Sequence, residues 1–333
     1  MSITIEKLAH HFARFGRSLK NYPDQYLPIF FRDPSVAVEH IGYLCPLCLK
    51  TGIICSESLG TGFFKPFSED HFPPKSVGGT LELLVCKDCN DHAGHAFDYV
   101  LKDRLSELSF EKRIPNAILG ARSQIDGLAS KGFNGFFQID QQGEITISFK
   151  RNENDRIPPL DEWTEKAAKG LPWKVDATIK RTDQRKIDQA ILKAAYLHCF
   201  LHWGYEFAFS TTGERIRDVI RGERNYPIRT DQIIIDKETP ADAPEGIPLG
   251  VCKLVAPQSV DCFIVSMKLS DIQTGYTVLV IVPIPGPSTG DWDSLPLILN
   301  TIIENGTFQF QHVRDHGLDD GILDGYRRSW LRP

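Results

Sequence analysis

The sequence predicts an α+β protein, and three observations carry the prediction. Two CxxC pairs, Cys45/Cys48 and Cys86/Cys89, frame a stretch rich in glycine and histidine that passes into a helical pattern. A long apolar periodicity of helical spacing then runs from about Asp183 to Phe209. The last hundred residues break into apolar or alternating runs between Gly and Pro, which reads as strands.

Taken in order, the chain opens with a short amphipathic helix, roughly Ile5 to Leu19. An irregular stretch rich in Pro and aromatics, NYPDQYLPIFFRDP, follows it. Residues 1–40 therefore read as a packing arm, not an independent domain. A first domain is expected over 41–110. Within it the segment from Val85 to Leu105 changes from a cysteine turn into a helix, with Ala96, Tyr99, Val100 and Leu105 on one face. A second, larger α+β domain of no nameable fold is expected over 111–333, serving recognition, oligomerisation or regulation. Its first elements are the runs from Gly135 and from Glu144, which alternate around Gln141-Gln142-Gly143 as a hairpin does. A linker carries Pro158 and Pro159. The helix from Asp183 follows, with Ile187, Ile191, Ala194, Ala195 and His198 near an apolar face, and then a short basic helix from about Gly213 to Arg224. Strands are expected at Val260–Met267, Tyr276–Val282 and Thr307–Val313. No internal repeat or low-complexity tract interrupts this order.

Composition narrows the function classes. The chain has 333 residues, 41% hydrophobic and 24% charged, as ordinary globular proteins do. No apolar run reaches the ~18 residues that would span a bilayer. Charges and histidines stand where a secretory signal needs an apolar stretch, so a cytoplasmic protein without membrane attachment is expected. A net charge of −5 argues against a broad passive nucleic-acid surface. It weighs less against a nuclease, whose metal supplies positive charge at the point of contact.

Four of the eight cysteines fall in the CxxC pairs; Cys55, Cys199, Cys252 and Cys262 lie among apolar neighbours as buried thiols do. One CxxC puts two thiolates on one tight turn, and two pairs complete a tetrahedral shell for zinc. Disulfides compete with that reading but are disfavoured in the cytosol. A thioredoxin-like motif needs one CxxC in a βαβ setting, not two around a Gly-rich loop. The 37 residues between Cys48 and Cys86 are longer than a compact zinc ribbon allows, so they form a structured excursion.

That excursion reads Glu69-Asp-His-Phe-Pro-Pro-Lys-Ser-Val-Gly-Gly, and the second pair is followed by Asn90, His92 and His95. The run EDHFPPKSVGG…LLVCKDCNDHAGH resembles the HNH (ββα-metal) endonuclease family, in the branch with a four-cysteine zinc site. The resemblance covers about residues 41–104. It implies a ββα-metal fold in which Cys45, Cys48, Cys86 and Cys89 hold a structural Zn²⁺. It also implies His71 as general base, Asp70 and Asn90 as ligands of a catalytic Mg²⁺ or Mn²⁺, and His95 as a further candidate near the scissile phosphate or a metal-bound water. The chemistry suits the residue types: a near-neutral imidazole can deprotonate water, and carboxylate and amide oxygens are hard ligands. Other uses stand beside these. Asn90 can simply cap a helix; His92 can be inert, Glu69 a solvated acid, and Lys75 a surface lysine. One departure is Leu81, where many family members carry an asparagine that steadies the base. The branch in which CxxC-Asn is followed by a glycine and an acid fits instead, here with Gly94 and Asp98.

The expected activity is metal-dependent phosphodiester hydrolysis, on DNA in preference to RNA. A restriction or phage-defence role follows by analogy only, with a homo-oligomer or an activating protein as possible partner. A non-catalytic zinc module at a nucleic-acid or protein interface is the alternative. Arg217, Arg221 and Arg224 share a helix face that could track phosphates, or could pair with Glu214, Asp218 and Glu223. The aromatics from Tyr196 to Phe209 read as buried core in preference to a stacking platform.

Overall fold

A computed structural model describes residues 5–30, 40–55, 66–125, 133–149, 169–170, 175–179, 181–228, 234–236, 249–256, 262–270, 275–284, 295–305 and 309–313. The expected linker at Pro158 and Pro159 lies outside these residues, as does part of the arm. The protein is α+β, as the sequence predicts, and the chain gathers into two compact units. One comprises Met1–Leu101 with Gln184–Pro333, the other Lys102–Asp183.

In the first unit, α1 (Ile5–Phe15) leads into a three-stranded antiparallel sheet of β1 (Arg17–Ser18), β2 (Ile41–Leu44) and β3 (Gly52–Ile54), in that spatial order. A hairpin follows, β4 (Phe67–Phe72) with β5 (Leu81–Cys86), in register from Phe67 opposite Cys86 to Phe72 opposite Leu81. Its connection contains one 3₁₀ turn, Lys75–Val77. Gly78 ends that turn at φ +86°, and a Cβ on Gly79 would lie 1.6 Å from the Pro73 carbonyl oxygen. The Gly-Gly pair is thus a backbone requirement, the first glycine for conformation and the second for space. Helix α2 (Lys87–Ala93) starts at once, passes through a single π turn, Gly94–Asp98, and continues as α3 (Val100–Glu111).

The chain returns to this unit in α4 (Gln184–Ala208), the expected long helix. Seventeen of its residues are buried, because it packs on β4 and the π turn and also on the strands of a large sheet. That sheet is antiparallel throughout, in the order β10 (Ile234–Asp236), β13 (Gly275–Pro283), β12 (Cys262–Ser270), β11 (Gly250–Ala256), β14 (Gln309–His312). Near-continuous apolar residues in β12 and β13 fit central strands. Trp203 of α4 stacks on Phe263 of β12 at 4.3 Å between centroids. Near its end α4 breaks at Gly204 (φ +57°, ψ −137°), a conformation that glycine reaches without a Cβ penalty. The break precedes Tyr205, whose ring sits among Tyr22, Tyr43, Phe200 and Phe209. Helix α5 (Thr211–Ile220) follows, capped by the Ser210 hydroxyl accepting from the Gly213 N–H, and α6 (Leu295–Asn305) lies between β13 and β14 in sequence.

The second unit is a four-stranded antiparallel sheet, β8 (Ile145–Phe149), β7 (Phe133–Ile139), β6 (Ile118–Ile125), β9 (Val175–Thr178), with the body of α3. The β7–β8 hairpin turns at Asp140, whose carboxylate accepts from the N–H groups of Gln142 and Glu144. Its core is Ile114, Ala117 and Ile139 with Phe110 against them. Among the described residues no helix is long and apolar enough to cross a membrane.

Candidate functional site

Strand β2 delivers Cys45 into a tight turn that closes through Leu49 N–H to the Cys45 carbonyl (2.9 Å) and Cys45 N–H to the Thr51 carbonyl (2.8 Å). Leu49, which closes this turn, takes a positive φ of 53°, uncommon for a bulky side chain. The second pair straddles a strand end and a helix start. Cys86 closes β5 and precedes the first turn of α2, which carries Cys89. The four sulfurs lie within 4.8 Å of one another. Cys48 Sγ and Cys86 Sγ are 3.8 Å apart. Ligands held at about 2.3 Å in a tetrahedron stand about 3.8 Å apart, whereas a disulfide closes to about 2.05 Å. None of the eight cysteines is in a disulfide.

Backbone donors support the cluster. Cys86 N–H donates to Cys45 Sγ (3.2 Å) and Lys50 N–H to Cys48 Sγ (3.4 Å), as thiolates require. Hydrogen bonding from Cys45 lowers Cys48 and brings Cys86 down to about 7, while burial and then Cys48 push Cys45 up. Four thiols this close cannot all ionise without a cation. The four cysteines could bind a metal such as zinc. Among the described residues they are the one group of three or more His, Cys, Asp or Glu side chains arranged for it.

Two hydroxyls tie this cluster to α4. The Tyr205 hydroxyl accepts from Leu44 N–H and donates to the Leu44 carbonyl, both at 2.6 Å, and Tyr196 donates to the Pro46 carbonyl at 2.7 Å. Arg217 of α5 in turn donates to the Tyr196 hydroxyl (3.0 Å) and is 5% exposed. Of the basic row, Arg217 is thus core, and Arg221 pairs with Asp218 and Glu223. Arg224 stands 3.9 Å from Asp218.

The β4–β5–α2 segment places the other candidates. Adjacent strand residues point to opposite faces, so Asp70 and His71 diverge. His71 is directed to Glu82 across the hairpin, Nε2 to Oε1 at 2.9 Å, with a quarter of its side chain exposed. Asp70 is buried on the other face. Asn90 donates its amide to Ser68 Oγ (2.9 Å) and to the Glu69 carbonyl (3.0 Å), binding α2 to β4. His92 and His95 are exposed, and Leu81 sits half exposed opposite Phe72. His71, Asp70, Asn90 and His95 therefore share one small segment. Asp70 and His71 do not share a face of the hairpin.

Asp70 meets a residue that sequence reasoning did not single out. Lys193 of α4, fully buried, donates to both Asp70 oxygens (3.1 and 3.0 Å) and to Asp98 Oδ2 (2.6 Å). One ammonium thus serves two carboxylates from two other elements, β4 and the π turn. Burial pushes Asp70 and Asp98 up against the lowering pull of Lys193. Burial pulls Lys193 down, but the two carboxylates outweigh it and hold the ammonium above its ordinary range. The available signal was a lone lysine inside the apolar run Ala190-Ile-Leu-Lys-Ala-Ala-Tyr-Leu. Lysine is almost never fully buried unless paired. In this arrangement a Mg²⁺ on Asp70 would have to sit beside the Lys193 ammonium, which lies 3.0–3.1 Å from both carboxylate oxygens.

No family model, no curated protein and no solved structure matches the chain.

Proposed function

We propose that this chain is an endonuclease of the HNH type, hydrolysing phosphodiester bonds in DNA in preference to RNA, with His71 as general base. The observation that supports the reading is local. A hairpin followed directly by a helix, with a four-cysteine cluster at its base, carries His71 on the solvent side and Asn90 back on the first strand. Zn²⁺ in the cluster would be structural and closed, fixing β5 against the β2–β3 turn.

The chemistry asked of the chain's own residues is proton transfer. His71 Nε2–H donates to Glu82 at 2.9 Å, which leaves Nδ1 to take a proton from an attacking water. The Glu82 carboxylate holds the ring and stabilises the imidazolium that forms, as orienting carboxylates do. The Asp70 carboxylate, paired with Lys193, takes no part in this proton transfer.

The Lys193 pairing also favours a second reading, a zinc-built binding module. In that reading Asp70 is a buried structural acid and the chain contacts nucleic acid or protein without cutting. One experiment separates the two. Purified protein is incubated with supercoiled plasmid, and in parallel with RNA, with and without Mg²⁺ or Mn²⁺, beside a His71→Ala control. Nicking that His71→Ala abolishes supports the nuclease; plasmid and RNA both left intact while the protein retards them on a gel supports the module.

A further inference from the structure

Three carboxylate oxygens, two from Asp70 and one from Asp98, lie 2.6–3.1 Å from a single point, and that point is the Lys193 ammonium. The three side chains come from β4, the π turn and α4. All are nearly or fully buried, Asp98 at 8% exposure and Lys193 at 0%. Oxygens around Mg²⁺ sit at about 2.0–2.1 Å, so shifts of about 0.5–1 Å would bring these three into coordination, with water completing the shell. A fourth oxygen, Asp98 Oδ1, is buried with no hydrogen-bond partner among the described residues. Two ionised carboxylates would together balance a dication, where the ammonium balances one of them.

We propose that Lys193 is the resident cation of this site. Its ammonium occupies the position a divalent ion would take on Asp70 and Asp98, and replacing it with a neutral side chain turns the pair into a binding site for Mg²⁺-like cations. The exclusion is electrostatic and steric together. An ammonium and a dication cannot share a point, and in a water-poor interior their repulsion is far stronger than in solution. The inference does not depend on whether the chain cuts nucleic acid. It concerns which cation Asp70 holds.

Mn²⁺ is the probe, and the loss of the free-ion signal in electron paramagnetic resonance is the readout. The full chain, with its cysteine cluster loaded, is compared as wild type, Lys193→Met and Lys193→Met with Asp70→Asn. The expected result is a site in Lys193→Met that binds Mn²⁺ on the order of tenfold or more tighter than anything in the wild type. Adding Asp70→Asn should remove it. Equal binding by wild type and Lys193→Met overturns the proposal, as does a site in Lys193→Met that survives Asp70→Asn. Should Lys193→Met not fold in metal-free buffer, Lys193→Gln and refolding with and without millimolar Mn²⁺ decide the matter. Recovery only with Mn²⁺ supports the proposal, and no difference overturns it. Plasmid cleavage is a separate readout, so the nuclease reading can fail while this one stands, and the reverse.

Discussion

Acidification should weaken the fold through His198. This residue lies on α4 one turn beyond Lys193, 5% exposed, with its ring edge-on to Phe72 of the hairpin at 5.1 Å. Its Nε2 is buried with no hydrogen-bond partner among the described residues. Burial, and then His202, lower its pKa to about 4, so the folded protein keeps this imidazole neutral. An unfolded histidine titrates near 6.5. The folded value is depressed, so the stability it confers is complete above about pH 6.5 and is lost as pH falls toward 4. At about 1.4 kcal/mol per unit the loss from this one group is about 2 kcal/mol by pH 5 and about 3 kcal/mol by pH 4. Other groups titrate in the same range. Asp70 and Asp98 are raised and act in the opposite sense, and the cysteine cluster takes up protons in acid. The contribution of His198 is therefore read as a difference. Urea unfolding of the wild type and of His198→Leu at pH 7, 6 and 5 should show the wild type losing about 2 kcal/mol more than the variant between pH 7 and pH 5. Parallel losses in the two proteins would refute the argument and mean that the ring has a proton partner or ready access to water.

Three further expectations follow from the same contacts. Elemental analysis should find one zinc per chain, and a strong chelator or Cys86→Ser should lower the melting temperature sharply, since structural zinc contributes to folding directly; an unchanged melt in metal-free protein would contradict this. Tyr205→Phe removes the hydroxyl that serves both the N–H and the carbonyl of Leu44, next to Cys45, and should cost about 1–3 kcal/mol in urea without altering the m-value. Gly79→Ala, whose Cβ would meet the Pro73 carbonyl oxygen, should cost about 1–3 kcal/mol, whereas Gly94→Ala, with nothing within 4 Å, should be neutral or stabilising. Similar losses at both glycines would show that the space around the added Cβ does not decide the cost.

Much of the architecture was legible because it rests on local rules. The two CxxC pairs announced a four-thiol cluster through spacing alone, since each pair needs only its own tight turn. The Asp183–Phe209 periodicity marked α4 to within a residue at each end. The turn at Asp140 was readable for the same reason, its carboxylate bonding two nearby N–H groups. The basic row from Arg217 to Arg224 was legible as a helix face but not as to its use, because Arg217 donates to the Tyr196 hydroxyl and the Ala208 carbonyl, both on another helix.

What the sequence determined by itself, then, is set by short-range geometry: the cysteine turns, the hairpin around Gly143, a helix beside the second cysteine pair and the residue types gathered there. The start of that helix at Cys86, before Asn90 and not at it, came from the structure. Only the tertiary structure decided which charges meet. Asp70 and Asp98 are 123 and 95 residues from Lys193, and neither periodicity nor spacing links them. Strand alternation fixes that Asp70 and His71 diverge, but the strand register and the packing of α4 fix which of them enters the core. That choice is a matter of desolvation. A carboxylate buried under α4 needs a cation beside it, and α4 brings one.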